Sequence, residues 1–172
     1  MSKDYQSNRP QGGGGSFKKK DAPKISDEDL FKPYSIEGFF NSRNVIKTEL
    51  ICDMGDNNVK DLAVRLANGD ESAGDKKLKV NQLRKFYDSY VRIIRVDIPD
   101  DQKKVQMLMF SANAQYSGDR LKLRLFKLFI KQRVGFVIQS SDDLFTKACE
   151  AFKLHFEALV AYFPKNEKEE AE

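Results

Sequence analysis

The spacing of proline constrains the fold of this chain more than any other feature. Its five prolines stand at positions 10, 23, 33, 99 and 164, so residues 34–98 and 100–163 contain none. Proline in a helix interior removes a hydrogen bond and clashes with the preceding turn. Two proline-free stretches of this length therefore favour long helices.

The end of the second stretch shows the most regular helical pattern. Apolar residues recur there with helical spacing on one face, at Phe145, Ala148, Cys149, Phe152, Phe156, Leu159, Val160 and Phe163. Ser140 or Ser141 can cap this helix, and Asp142 and Asp143 suit its first turn because the helix dipole favours anions there. Pro164 is expected to end it.

Residues 78–95, "LKVNQLRKFYDSYVRIIR", mix large aromatics with strong cations. One helical face collects the apolar side chains Leu83, Phe86, Tyr87, Tyr90, Val91 and Ile94, which predicts packing against the core. The charged residues Arg84, Lys85, Asp88, Arg92 and Arg95 lie off that face. The stretch is thus predicted to pack with one side and to present cations to solvent with the other.

A second basic pattern lies in residues 119–139. The residues "SGD" at 117–119 are predicted to end one helix, and Ser117 or Asp119 to cap the next. That next helix would carry four cations along one side, here called the cationic stripe: Arg120, Arg124, Lys127 and Lys131. Their spacing makes the stripe roughly 16 Å long. Four like charges with no interleaved carboxylate destabilise a helix, which indicates an anionic partner. A solvated face, or pairing with acidic residues of a neighbouring subunit, would also explain them.

The remaining patterns complete an all-α prediction, a compact bundle of about five helices. Residues 59–67 are predicted to form a short helix and 68–75 a polar loop. Residues 34–57 are ambiguous, and "VIKTELICDMG" within them could form a helix or a short strand. Strand signals are scarce, the best being "RVGFVIQ" at 133–139. The predicted divisions are a disordered Gly/Lys-containing tail (1–24), an N-terminal extension of uncertain structure (25–58), the helical bundle (59–165) and an acidic tail (166–172).

Charge is concentrated in the middle of the chain. The net charge is +4 overall, and it amounts to −2 over residues 1–75, +10 over 76–135 and −4 over 136–172. A cationic block between two acidic ends indicates a polyanionic partner. A basic surface that is merely solvated is the alternative.

No pattern of an enzyme or a metal site is visible. His155 is the only histidine, it has no accompanying nucleophile pattern, and it is predicted to be a packing or surface residue. Cys52 and Cys149 lie far apart and are predicted to be reduced, inert thiols. No apolar run reaches the roughly 20 residues of a membrane span, and no apolar signal core opens the chain. We therefore expect a cytoplasmic protein with no catalytic role, metal or cofactor.

Three stretches, in this order and spacing, resemble the small subunit of the type III-A CRISPR effector, the Csm complex. They are "LKVNQLRKFYD" (78–88), "AQYSGDR" (114–120) and "FEALVAYF" (156–163), and the resemblance covers roughly residues 59–165. Lys79 and Val80 replace the threonines that would cap the helix in this family, which leaves Asn81 as the expected cap. Phe163 replaces the family's usual histidine.

The resemblance implies a helical protein that is not a nuclease. Several copies would stack beside the RNase subunits that hold the guide RNA and would line the channel where the guide pairs with target RNA. The large subunit and the RNase subunits would do the chemistry.

The family motifs carry over Gln82, Arg84, Lys85 and Arg120 as polar contact positions. With the other cations, the predicted RNA-binding residues are Lys79, Gln82, Arg84, Lys85, Arg92, Arg120, Arg124, Lys127 and Lys131. The alternatives are a purely structural oligomerisation subunit, a type III-B-like small subunit, or another helical nucleic-acid-binding protein.

Overall fold

A computed structural model describes residues 25–34 and 36–164, and within these ranges the chain forms six α-helices and no strand. The helices are α1 (Asp27–Phe31), α2 (Val59–Asn68), α3 (Val80–Arg95), α4 (Asp100–Leu121), α5 (Arg124–Ile138) and α6 (Asp142–Tyr162). The all-α prediction is confirmed. The predicted tails at 1–24 and 166–172 lie outside the described residues. No helix in the described ranges is long and apolar enough to cross a membrane.

The centre of the bundle is α6, which packs against α2, α3 and α5. Its predicted apolar face is buried, and Phe152 and Phe156 are fully inaccessible to solvent. The Phe152 ring contacts four other aromatic rings, of which Tyr90 is nearest at 4.6 Å between centroids. The helical period of the aromatics in α6 thus produces an aromatic core that α3 and α5 complete.

Contacts between rings fix the direction of α3 relative to its neighbours. Tyr87 contacts Phe156 and Tyr90 contacts Phe152, so positions rise along α3 while they fall along α6. The short connection after α3 returns the chain as α4, and the Lys76 amide donates to the Lys122 carbonyl at 2.8 Å. The start of α3 and the ends of α4 and α6 therefore meet at one end of the bundle.

The predicted break at 117–119 is wrong, because α4 continues to Leu121. The chain turns at Lys122, whose φ of 58° is left-handed, and the Leu123 amide donates to the Gly118 carbonyl at 2.7 Å. A Cβ on Gly118 would lie 2.7 Å from the Cβ of Lys127. Gly118 therefore allows α4 and α5 to approach closely and does not end a helix.

Neither Ser117 nor Asp119 caps α5. Asp75, a buried carboxylate in the loop before α3, accepts a hydrogen bond from the Leu125 amide at 3.2 Å and so caps α5 from a distant part of the chain. Burial raises the pKa of Asp75 above its usual range, although the amides at the helix start oppose this shift. Residues 133–139, the best strand candidate, are helical up to Ile138 because they continue the α5 pattern.

The segment before α2 forms neither a regular helix nor a strand. It contains the 3-10 turn Thr48–Leu50 and an isolated bridge between Phe40 and Ile46. Phe39 and Leu50 are nevertheless buried in the common core. The guanidinium of Arg133, itself fully buried, lies 5.6–5.8 Å from the ring centroids of Tyr34, Phe39 and Phe136. These contacts hold the irregular segment against α5.

His155 is a packing residue, one of the two roles that the sequence predicts for it. It is fully buried, its Nε2 lies 2.8 Å from the Tyr34 hydroxyl, and its Nδ1 contacts the Leu50 carbonyl. Since the carbonyl can only accept, Nδ1 donates to it and Nε2 accepts from Tyr34. Burial, and secondarily the charge of Arg133, lowers the pKa of His155 to about 3. The neutral ring therefore links α6 to the segment before α2.

This histidine makes stability depend on pH. The pKa of His155 is about 6.5 in the unfolded chain and about 3 in the folded protein, so at pH values between the two the unfolded chain binds one more proton. The contribution of His155 to the free energy of unfolding is therefore complete above about pH 6.5 and is lost as the pH is lowered toward 3. Lowering the pH from 7 to 5 should remove about 2 kcal/mol through this residue. The measurement is urea unfolding at both pH values for the wild type and for His155→Phe, which cannot titrate. An equal loss in both proteins would contradict the assignment.

Both cysteines are free thiols, as predicted. Cys149 is buried on α6, and its burial raises the pKa of the thiol to about 12. The thiolate is the nucleophilic form of cysteine, so this side chain is unreactive near neutral pH. The Cys149 side chain packs in the core. Its backbone carbonyl accepts a hydrogen bond from the Tyr90 hydroxyl at 3.0 Å.

Candidate nucleic-acid interface

The outward face of α3 carries cations, as the sequence predicts. Arg84, Lys85, Arg92 and Arg95 are exposed along it, and Asp88 is the one acidic residue among them. The opposite side of α3 is packed in the core, where Leu83, Tyr90 and Val91 are buried. The two kinds of side chain in residues 78–95 therefore separate onto opposite faces of one helix.

The start of α3 gives Gln82 a structural role. Lys79 is the N-cap residue, and its amide donates to the Gln82 side-chain carbonyl at 3.1 Å. The third position of a helix is the one from which a Gln side chain reaches back to the cap amide. Asn81 lies inside the helix and is exposed. The expectation that Asn81 caps the helix is therefore wrong.

The predicted cationic stripe does not exist as one continuous surface. Arg120 belongs to α4, whereas Arg124, Lys127 and Lys131 belong to α5, because the chain turns at Lys122 between them. The helical spacing of the four residues is correct only if no turn intervenes. The break predicted at 117–119 lies a few residues before the actual turn at Lys122. The four residues therefore belong to two helices and do not form one stripe.

Two members of the stripe already have anionic partners. The Arg124 guanidinium pairs with Asp27 at 2.6 Å and also donates to the carbonyls of Ile25 and Ala73. The Lys127 amine pairs with Asp119 at 2.6 Å. The carboxylates that seemed absent from the stripe come from α1, 97 residues away, and from the end of α4.

Lys131 is exposed beside a groove between α1 and α5. The groove has a volume of about 870 Å³, and its α1 side carries Asp27, Glu28 and Asp29. These carboxylates disfavour the approach of a phosphate, since like charges repel. Lys131, like the ion-paired Arg124 and Lys127, is therefore less suited to a phosphate contact than the exposed cations of α3.

A different group of cations gathers where α3 begins and α4 ends. This surface, here called the basic end, consists of Lys76, Lys77, Lys79, Arg120 and Lys122, all exposed. None of the five forms an ion pair with another residue in the described ranges. Unpaired cations from two chain segments therefore share one surface, and α3 extends it through Arg84 and Lys85.

Sequence reasoning missed Lys76, Lys77 and Lys122 as members of this surface. They are brought together by the backbone hydrogen bond between Lys76 and Lys122, which no helical period reveals. The net charge of +10 over residues 76–135 includes these three lysines, but a charge count does not show where on the fold they lie. Elsewhere, no group of three or more His, Cys, Asp or Glu side chains in the described ranges could hold a metal ion.

Comparison with known proteins identifies the family. The family model described as Csm2 Type III-A matches residues 56–169, which include α2 to α6 and the whole basic end. No curated protein and no solved structure matches the chain. The family match covers well over half of the chain and confirms the resemblance of the three motifs. The chain belongs to the Csm2 family and is a small subunit of the type III-A CRISPR effector, the Csm complex.

Proposed function

We propose that this chain is a non-catalytic RNA-binding and assembly subunit of the cytoplasmic type III-A complex. Several copies stack along the channel where guide RNA pairs with target RNA, next to the backbone RNase subunits and the large subunit. The chemistry belongs to those partners, and this subunit needs no cofactor. Family membership supports its place in the complex, and the basic end supports the contact with RNA.

The basic end is the observation on which the RNA contact rests. Its cations are exposed and unpaired among the described residues, and α3 carries further exposed cations from Arg84 to Arg92, over about 12 Å of its axis. Lysine and arginine bind phosphate through charge, without reading bases. A subunit that must accept any target needs this kind of affinity, while base pairing with the guide reads the sequence.

The nine residues predicted from sequence divide by their surroundings. Lys79, Arg84, Lys85, Arg92 and Arg120 are exposed and are proposed to contact phosphates directly, together with Lys76, Lys77 and Lys122. Gln82 supports the start of α3. Arg124 and Lys127 would reach RNA only by giving up Asp27 and Asp119, and Lys131 only beside the acidic side of its groove.

Binding should be independent of RNA sequence. We expect the isolated protein to bind two fluorescent single-stranded RNAs of equal length and unrelated sequence with affinities that agree within a few-fold. Both affinities should fall as salt increases, because counterions are released from the phosphates. Fluorescence anisotropy titrations at several salt concentrations measure both properties. A strong preference for one sequence, or binding insensitive to salt, would argue against phosphate recognition.

A purely structural role is the second candidate, and the exposed apolar residues of α4 favour it. Val105, Leu108, Met109 and Tyr116 are more than half exposed, which suits a protein contact better than solvent. In that case the basic end would bind acidic surfaces of neighbouring subunits. Neutralising it would then prevent assembly and leave the RNA affinity of the isolated chain unchanged.

A further inference from the structure

Tyr116 on α4 is the one exposed aromatic residue in the part of the chain that the structure describes. It is 69 % exposed, whereas the other described phenylalanine and tyrosine residues are buried or partly buried. Tyrosine is enriched where one molecule contacts another, because its ring is apolar and its hydroxyl is polar. The Tyr116 ring is therefore a candidate contact surface.

The ring stands at the edge of the basic end. Arg120, a member of that surface, follows Tyr116 by one helical turn, and its guanidinium lies 6.0 Å from the centroid of the Tyr116 ring. The neighbouring carboxylate, Asp119, pairs with Lys127 on α5 at 2.6 Å. Arg120 forms no ion pair with another described residue, so an exposed ring and an unpaired cation lie side by side.

A ring beside a cation suits a nucleobase and its phosphate. Bases stack on aromatic side chains and on the plane of a guanidinium, and the guanidinium also binds phosphate oxygens. Every base has a π face, so stacking tolerates any sequence. In a duplex the neighbouring base pairs cover both faces of a base, which leaves an unpaired base as the group that can stack here.

We propose that Tyr116 and Arg120 form a stacking site for an unpaired RNA base at the edge of the basic end. The inference rests on the RNA binding in the proposed function and adds a contact with a base to the contacts with phosphates. The Tyr116 ring stacks on the base, and Arg120 holds the ring and binds a neighbouring phosphate.

Substitutions of Tyr116 separate stacking from charge. Tyr116→Leu removes the ring and should weaken the binding of single-stranded RNA about tenfold. The slope of log affinity against log salt should stay the same, because no charge is lost, whereas Arg120→Ala should reduce it by about 0.7. Tyr116→Phe keeps the ring and should bind within about twofold of the wild type.

Leu108→Ala is the matched control for these variants. Leu108 is exposed on the same helix, about 12 Å along the axis from Tyr116 and further from the basic end. Its replacement should leave RNA affinity unchanged. Both side chains are exposed, so circular dichroism should show the same fold in all variants.

An RNA of the same length whose riboses carry no bases tests the stacking directly. It has the same phosphates, so the wild type and Tyr116→Leu should bind it with equal affinity. The tenfold difference between them should appear only with the RNA that has bases. The chain contains no tryptophan, so Tyr116→Trp introduces a single one. Its fluorescence should be quenched by the RNA with bases and not by the abasic RNA.

Equal affinities of the wild type and Tyr116→Leu for the RNA with bases would overturn the stacking site, as would an equal loss on both RNAs. If the wild type still binds RNA in a salt-dependent way, such a result leaves the proposed function intact. A wild type without salt-dependent RNA binding would contradict the proposed function itself. A Tyr116→Leu chain that keeps its RNA affinity but no longer joins the complex would make the ring a protein contact and overturn the stacking site.

Discussion

Replacing Lys77, Lys79 and Lys122 with alanine should weaken the binding of single-stranded RNA by roughly a few hundredfold at 50 mM salt and flatten its salt dependence. The three side chains are exposed and belong to the basic end, and none supports the core. Their loss should therefore leave the fold intact. It should weaken binding equally for RNAs of different sequence, because phosphates carry no sequence information.

The salt dependence gives the sharper result. Each lost phosphate contact on a single strand reduces the slope of log affinity against log salt by about 0.7, so three contacts reduce it by about 2. Between 50 and 200 mM salt, the affinity of the wild type should accordingly fall about 20-fold further than that of the variant. Anisotropy titrations of both proteins against one RNA provide the comparison.

The matched control removes three cations away from the basic end. Lys147 lies near the start of α6 and contacts the loop that contains Arg43, and Lys60 lies in the first turn of α2. The variant Arg43→Ala, Lys60→Ala, Lys147→Ala has the same net charge as the test variant. It should keep most of the affinity and the slope. Equal effects in the two variants would show that RNA responds to total charge and not to the basic end.

Replacing Phe152 with alanine should lower the free energy of unfolding by about 3–5 kcal/mol. The ring is fully buried in α6 and contacts Phe39, Tyr90, Phe129 and Phe156. Its removal loses the transfer energy of the ring and leaves a cavity that rigid aromatic neighbours cannot fill. These neighbours come from α3, α5, α6 and the segment before α2, so the loss affects most of the bundle.

Leu154 provides the control for this substitution. It lies two residues further along α6 but is 45 % exposed, so Leu154→Ala should cost less than about 1 kcal/mol. Urea unfolding followed by circular dichroism measures both variants under identical conditions. Comparable losses at the two positions would mean that the aromatic cluster is not the centre of the core.

The sequence predicted α3 and α6 well because each helix buries a single face. In α6 the apolar residues keep one helical period from Phe145 to Phe163, and the caps lie where the pattern starts and stops. Prediction misplaced the end of α4, a helix that carries apolar residues both in the core and on its exposed side. A periodic signal is lost in such a helix, and Gly118 then resembled a break although it serves the contact with α5.

The candidate site was only partly predictable, because part of it depends on contacts between segments that are distant in sequence. Exposure of Arg84, Lys85 and Arg92 follows from the period of α3 alone. The pairing of Arg124 with Asp27 and the meeting of Lys76 with Lys122 depend on contacts between distant parts of the chain. No local pattern contains such contacts, so the sequence predicted exposed cations but placed four of them on one helix where the structure divides them between α4 and α5.

The most direct test of RNA binding by the basic end is protein–RNA crosslinking in the assembled type III-A complex with guide and target RNA bound. Ultraviolet crosslinking with mass spectrometry identifies the peptides of this subunit that touch RNA. We expect crosslinks in residues 76–85 and around Arg120 and Lys122, and their loss in the Lys77, Lys79 and Lys122 variant. Crosslinks confined to other surfaces, or none on this subunit while it remains in the complex, would contradict RNA binding by the basic end.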